Sequence, residues 1–251
     1  MNKTAFGGFF LIILCGGVLL RGPGLGLRPM HHDEANQAVK FGLLLEKGEY
    51  RYDPADHHGP ALYYLTLPIA WAAGKPTLAS LDEVTLRFLP VLFGVGMILL
   101  LLIFLKDLGR PAVLLAGLCA ALSPAFSYYS RFYIQEMIFV FFCLGFIGSI
   151  WRYLKRPGRG WAIASGLFAG LMVAAKETSV IIFAAVAGAL VLTRFAQKKS
   201  SGGQAATARI SPAHLILALA VAVVTAALFF STFFANPKGI VDSVAAFQIY
   251  F

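Results

Sequence analysis

The chain has 251 residues, of which 59% are hydrophobic and 13% charged, and its formal net charge at pH 7 is +9. Because about a quarter of the residues of an ordinary soluble domain are charged, this composition excludes that class and predicts an all-α polytopic membrane protein. Basic residues beside apolar spans usually follow the positive-inside rule, so the charge does not indicate a nucleic-acid partner.

The first predicted element is a membrane span over residues 4–20. A secretory signal has a similar layout, with an early basic residue and then an apolar run. The Arg21 and Gly-rich stretch that follows offers no clear small-residue cleavage site, so we interpret the segment as an uncleaved anchor.

A polar interval follows over residues 31–60 and holds four of the five histidines. Asp33 is predicted to cap a helix that ends near Gly48 and lies on the membrane surface. The apolar run 61–74 is too short to cross a bilayer and predicts a second juxtamembrane helix. Both helices belong to a predicted outer loop over residues 28–87.

Further spans are predicted over residues 88–105, 112–128, 137–151, 161–175, 179–195 and 214–235, which gives about seven with the first. A cytoplasmic N-terminus places compact basic loops inside, including a linker over 197–209, and every acidic residue except Asp107 outside. We therefore expect one transmembrane domain over residues 1–251 in the inner or plasma membrane. The sequence stops within what looks like another amphipathic segment after residue 235, so we expect that a C-terminal part of the protein is absent from it.

Acidic residues recur at the predicted outer boundary, where ionisable groups are functional candidates. They are Asp33, Glu34, Glu136 and Glu177, with the cations Arg87, Arg131 and Lys176 beside them. Carboxylates facing cations suit the activation of a hydroxyl or amine next to an anionic phosphate leaving group.

Structural alternatives remain for several of these residues. Arg87 could snorkel to the membrane surface, and Arg131 could form an ion pair with Glu136. Lys176 and Glu177 could mark a helix end. Adjacent histidines with nearby acids could bind zinc or another transition metal, although neighbouring side chains on a regular element point apart. The residues concerned are His31, His32, His57, His58, Asp33, Asp53 and Asp56.

The order of the motifs HHDE, GPALYYLT, RFLPVLFG, SPAFSYYSRFYIQEM and GLMVAAKETS resembles the GT-C superfamily of membrane glycosyltransferases. This superfamily includes the protein O-mannosyltransferases, the lipid A aminoarabinose transferases and the oligosaccharyltransferases. HHDE and SRFYIQE are most similar to a prokaryotic branch called flippase-activity-associated. The resemblance covers essentially the whole chain and implies an N-terminal module of such an enzyme.

The resemblance implies roles for particular residues. Asp33 would be the catalytic carboxylate, with Glu34 as its companion and Glu136 as the second acidic residue. A divalent metal (Mg, Mn or Zn) is a further expectation, since Glu136 corresponds to a metal ligand in some relatives. Residues expected to contact the lipid phosphate are Arg131, Lys176 and His58, although His-Gly-Pro departs from the Glu-Lys that some relatives carry near this position.

The implied activity is inverting transfer of a sugar from a polyprenyl-phosphate-linked donor. The acceptor would be a lipid, glycan or protein at the extracytoplasmic face. Such donors require no nucleotide-binding domain. The alternatives are a flippase component that binds lipid-linked sugar without chemistry, and a non-catalytic binding scaffold.

Overall fold

The computed structural model describes residues 1–48, 50–55, 58–200 and 210–250, and within these ranges it contains helices and no strands. The all-α class is therefore confirmed. The helices are α1 (Lys3–Arg21), α2 (His32–Lys47), α3 (Ala61–Ala72), α4 (Glu83–Leu100), α5 (Leu105–Leu122), α6 (Pro124–Tyr129), α7 (Glu136–Lys155), α8 (Arg159–Ala175), α9 (Ser179–Ser200), α10 (Pro212–Phe230) and α11 (Lys238–Tyr250).

Within the described residues, five helical segments are long and apolar enough to cross a membrane. They are Lys3–Arg21, Glu83–Leu122, Glu136–Lys155, Ser179–Ala196 and Pro212–Phe230. A 19-residue helix is about 28 Å long, close to the hydrocarbon thickness of a bilayer. The chain is a multi-pass membrane protein, and α3 and α8 are shorter apolar helices. The number of seven spans stays a prediction.

The 40-residue segment that contains α4 and α5 doubles back on itself. Gly109, with φ 81° and ψ 168°, interrupts the helical backbone. Next to it, Arg110 donates to the carbonyl of Met1 at 2.6 Å, at the start of α1. At the other end of α1, Arg21 donates to the carbonyl of Ala120 at 2.8 Å. Helix α5 therefore runs alongside α1 over its length.

Helices α8 and α10 pack backbone against backbone through Gly166 and Gly170 of α8. A Cβ atom on Gly166 would overlap the carbonyl oxygen of Ala218, and one on Gly170 would lie 2.6 Å from that of Ala222. Small residues four apart are a common way for membrane helices to approach closely.

Gly166→Ala should lower the free energy of unfolding by about 1–3 kcal/mol, because the added methyl group meets backbone atoms that cannot rotate away. The matched control is Gly188→Ala in α9, where a Cβ atom meets nothing within 4 Å. Replacing a helical glycine in open space should stabilise by roughly 0.5–1 kcal/mol. Unfolding in mixed micelles measures both, and equal stability of the two variants would contradict the packing.

The segment between α1 and α4 forms two helices, α2 and α3, where the sequence predicted them, and their juxtamembrane position in an outer loop stays a prediction. The cap of α2, however, is His31, so the prediction that Asp33 caps this helix is wrong. His31 Nδ1 accepts from the Asp33 amide at 3.2 Å, and the Glu34 carboxylate accepts from the His31 amide at 3.1 Å. This reciprocal capping box requires an acid three residues after the cap, which selects His31. Gly48, with φ 66°, ends the helix.

Candidate active site

A buried ion pair anchors the start of α2. The fully buried carboxylate of Glu34 accepts from Arg87 Nε at 2.7 Å and from Arg87 Nη2 at 2.8 Å. It also accepts from the Tyr133 amide at 2.9 Å and from Arg28 Nη2 at 2.9 Å. Arg87 is buried as well, so it does not snorkel to the membrane surface.

The protonation of Glu34 follows from these contacts. Burial by itself raises the pKa of Glu34. The hydrogen bonds from Arg87, Tyr133 and His31 outweigh burial and hold the pKa below its ordinary value. Glu34 is thus an ionised group with its oxygens occupied, which suits it to fixing the fold around the site more than to moving a proton.

The next carboxylate along the chain, Asp33, has the opposite environment. Its side chain is 58% exposed, whereas that of Glu34 is fully buried. Asp33 Oδ2 lies 3.4 Å from His31 Nδ1. Because Glu34 fixes the first turn of α2, Asp33 is an accessible carboxylate on a rigid support, as a general base requires.

Buried polar side chains join α2 and α3 to the connector before α7. The Tyr133 hydroxyl lies 3.0 Å from Thr66 Oγ1 of α3, and Gln135 Nε2 donates to Gln37 Oε1 of α2 at 3.1 Å. Tyr63 Oη donates to the same oxygen of Gln37. Sequence reasoning missed these residues. The available signal was their polar character within apolar segments.

Glu136 follows this connector directly, at the start of α7, and pairs with Lys176 at the end of α8. Lys176 Nζ donates to Glu136 Oε1 at 2.8 Å. The second oxygen, Glu136 Oε2, is buried, and within the described residues it has no hydrogen-bond partner. The structure therefore brings together two of the predicted site residues as a partly exposed pair.

Arg131 bonds to backbone carbonyls and not to Glu136. Its guanidinium donates to the carbonyls of Arg21 at 3.1 Å, Pro23 at 2.7 Å and Gly24 at 3.1 Å, at the C-terminal end of α1. The alternative ion pair with Glu136 does not form. A cation is favoured at this end of a helix because the last carbonyls carry partial negative charge.

His58 contacts Glu177, just beyond Lys176. His58 Nδ1 lies 3.1 Å from Glu177 Oε2, and the Tyr52 hydroxyl donates to Oε1 at 3.3 Å. Glu177 is buried and bonded to both side chains, so it does not merely mark the end of a helix. Gly59 packs directly on the backbone of Ala174, where a side chain would not fit. His58 is thereby held at the junction of α8 and α9.

Arg28 is a cation at this site that sequence reasoning did not single out. Besides its bond to Glu34, its guanidinium lies 4.8 Å from the ring centroid of Phe132 and 5.8 Å from that of Tyr128. Its side chain is 42% exposed. Arg28 therefore places an accessible positive charge close to the start of α2.

The described residues do not fit a metal site made by protein side chains alone. Nowhere in the described ranges do three His, Cys, Asp or Glu side chains come together as ligands. Asp56 and His57, two members of the histidine-based prediction, lie outside the described residues. Asp53 accepts from the Ala55 amide at 2.9 Å in a turn.

An apolar cleft of about 410 Å³ lies between α3, α4, α7 and α8. Its walls include Leu65, Phe93, Phe141, Phe142, Phe168 and Leu171. Phe141 is five residues along α7 from Glu136, and Leu171 is five residues before Lys176. Five helical residues rise about 7.5 Å, so the cleft begins roughly one and a half turns from the Glu136–Lys176 pair.

The sequence profile of the dolichyl-phosphate-mannose-protein mannosyltransferase family matches residues 61–238, more than half of the chain. The chain belongs to this family. The mannosyltransferase profile covers α3 to α10 and thus includes Glu136 and Lys176, while Asp33 and Glu34 precede it. No curated protein sequence matches the chain.

The likeness of this chain to solved structures of other proteins shows that it has the GT-C fold. The S. cerevisiae protein O-mannosyltransferase Pmt1–Pmt2 complex bound to the sugar donor is 15% identical with a TM-score of 0.65, covering 100% of this chain and 34% of that chain. The archaeal oligosaccharyltransferase AglB from Archaeoglobus fulgidus, in complex with an inhibitory peptide and a dolichol-phosphate, is 17% identical with a TM-score of 0.66. The match covers 98% of this chain and 32% of AglB. The A. fulgidus oligosaccharyltransferase in complex with Zn and sulfate is 19% identical with a TM-score of 0.68, covering 96% and 35%.

The chain spans about a third of the length of these solved relatives. Membership of the GT-C superfamily is confirmed by the family profile and the fold. The narrower assignment to the flippase-activity-associated branch stays a prediction.

Proposed function

We propose that the chain acts as the transmembrane module of an inverting glycosyltransferase. It transfers a sugar from a polyprenyl-phosphate donor to a lipid, glycan or protein acceptor. One observation carries the proposal: the exposed Asp33 carboxylate stands on a buried anchor at the same end of the bundle as the Glu136–Lys176 pair. Family membership supports the same reaction class.

Asp33 is assigned as the general base that removes the proton of the acceptor hydroxyl or amine. Its exposure allows an acceptor to approach, and its support limits the geometries it adopts. Glu34 is assigned as its positioning residue, because the carboxylate oxygens of Glu34 are held by Arg87 and the Tyr133 amide.

The donor phosphate is assigned to the cations of the site, Lys176 first. Lys176 already donates to Glu136, so a phosphate would share its ammonium group. Glu136 would then order the acceptor or the donor head group. Arg131 and His58 are part of the same proposal, with Arg28 added as an accessible guanidinium. The isoprenoid tail would occupy the aromatic cleft beside α7 and α8.

Orientation follows from charge. With the N-terminus in the cytoplasm, the acidic site residues lie on the extracytoplasmic side of the cell membrane, as the positive-inside rule favours. We further propose that residues 1–251 act as one domain. A divalent metal (Mg, Mn or Zn) is a further part of the proposal, supported by the A. fulgidus oligosaccharyltransferase complex with Zn and tested with EDTA.

The test is transfer of radiolabelled sugar from a panel of polyprenyl-phosphate sugars by the full chain in nanodiscs. Wild type, Glu136→Gln and the outer-face control Glu83→Gln are compared, with and without EDTA. We expect product from wild type and from the control, and strongly reduced product from Glu136→Gln. Loss of wild-type product in EDTA would assign the reaction a metal.

Donor binding is measured on the same samples. If every protein binds donor and none forms product, the catalytic proposal fails. The flippase component or binding scaffold would then be the better description of this chain.

A further inference from the structure

A second cluster of cations lies at the opposite end of the bundle, where the chain bends at Gly109 near the start of α5. A cavity of about 450 Å³ opens there. It is lined by Met1, Leu105, Lys106, Gly109, Arg110 and Pro111. The bend at Gly109 brings the two cations to one cavity and sets them beside the start of α1. The position is separate from the candidate active site.

Neither cation of the cavity forms an ion pair with a carboxylate of the described residues. Asp107 lies between Lys106 and Arg110 in sequence, but Asp107 Oδ2 accepts from Trp151 Nε1 at 3.1 Å and from Arg152 Nη1 at 2.9 Å. Among the residues that the structure describes, no carboxylate lies within ion-pair distance of Lys106 or Arg110. Arg110 donates to one backbone carbonyl and keeps further donors.

The rest of the cavity wall is apolar, from Leu105 and Pro111. On the same segment, Leu102, Leu108 and Leu115 are exposed, as expected for side chains that contact lipid tails. The cavity therefore lies where a lipid-facing surface meets a group of cations. A free phosphate ion would contact only the cations, whereas a phospholipid would contact both the cations and the exposed leucines.

We propose that this cavity binds the head group of an anionic phospholipid. The phosphate accepts from the Lys106 ammonium and the Arg110 guanidinium, and the acyl chains lie along the exposed leucines. The bound lipid would join the start of α1 to the bend, since both line the cavity.

The experiment uses the delipidated full chain in neutral detergent, with phosphatidylglycerol or phosphatidylcholine added and bound lipid counted by native mass spectrometry. We expect wild type to bind phosphatidylglycerol about tenfold or more tightly than phosphatidylcholine, since each basic residue near an anionic lipid contributes about 1 kcal/mol. Lys106→Gln/Arg110→Gln should lose this preference. The matched control is Lys155→Gln/Arg156→Gln, which removes two cations of the same end outside the cavity.

Three outcomes would overturn the proposal: equal binding of both lipids by wild type, equal loss in the control variant, and displacement of phosphatidylglycerol by millimolar inorganic phosphate. The last would indicate a site for free phosphate. Lys106→Gln alone guards against misfolding, because no described side chain or carbonyl bonds to Lys106. It should weaken phosphatidylglycerol binding several-fold, and unchanged binding would also count against the cavity.

Discussion

Arg87→Met should lower the free energy of unfolding by about 3–5 kcal/mol, because it removes the cation that donates twice to the buried Glu34 carboxylate and leaves only the partly exposed Arg28 paired with it. Unfolding in mixed micelles, followed by circular dichroism, measures the loss. The control is Lys75→Met, which removes the cation of the exposed Lys75–Asp82 pair at 3.1 Å. An exposed ion pair contributes about 1 kcal/mol or less.

The lowered pKa of the Glu34 carboxyl leads us to expect that stability changes with pH. Its pKa is lower in the folded state than the ordinary value of 4.5. Its contribution is therefore fully present above about pH 4.5 and is lost as the pH falls through the lower folded pKa. In Arg87→Met, burial without the guanidinium raises that folded pKa, so the acid loss of stability should begin at a higher pH. Identical pH profiles for wild type and variant between pH 3 and 7 would rule out a titrating Glu34.

Asp33→Asn should reduce sugar transfer by a factor of about 10²–10⁴, the usual contribution of a general base. Its stability should stay within about 0.5 kcal/mol of wild type, since the side chain is exposed. Initial rates in nanodiscs with saturating donor and acceptor test the first statement. Unfolding tests the second.

Glu34→Gln supplies the contrast, because the amide cannot accept both bonds from Arg87 as an ionised carboxylate does. Here we expect stability to fall, with activity falling only as a consequence of the weakened support. Near wild-type transfer by Asp33→Asn would remove Asp33 from the mechanism. A large loss of stability in that variant would show that its exposed environment is misassigned.

Much of the fold could be predicted from the sequence because bilayer burial leaves a strong pattern. Apolar runs identified the long helices, and the short run before Gly74 forms a short helix, α3, whose juxtamembrane position stays a prediction. The acidic motifs were correctly associated with one end of the bundle. The likeness of the local sequence to known motifs identified the superfamily.

Side-chain partners could not be predicted in the same way. Arg131 bonds to backbone carbonyls at the end of α1, more than a hundred residues away, and carbonyls leave no mark in a sequence. Asp33 and Glu34 are adjacent and chemically alike, yet helix geometry turns one outward and the other onto Arg87. The cap at His31 follows from the Glu34 carboxylate three residues later, which accepts from the His31 amide.

The span of α9 has a consequence for the behaviour of the molecule outside its native bilayer. Only 6% of its apolar window is buried by other parts of the protein, compared with 50% for α7. The described residues therefore leave most of this 18-residue window uncovered, and the window is about 27 Å long. The tilt of α9 should follow bilayer thickness while α7 keeps the angle that its protein neighbours set. A change in membrane thickness should therefore alter the tilt of α9, at the periphery of the protein, before it alters that of α7 at the centre.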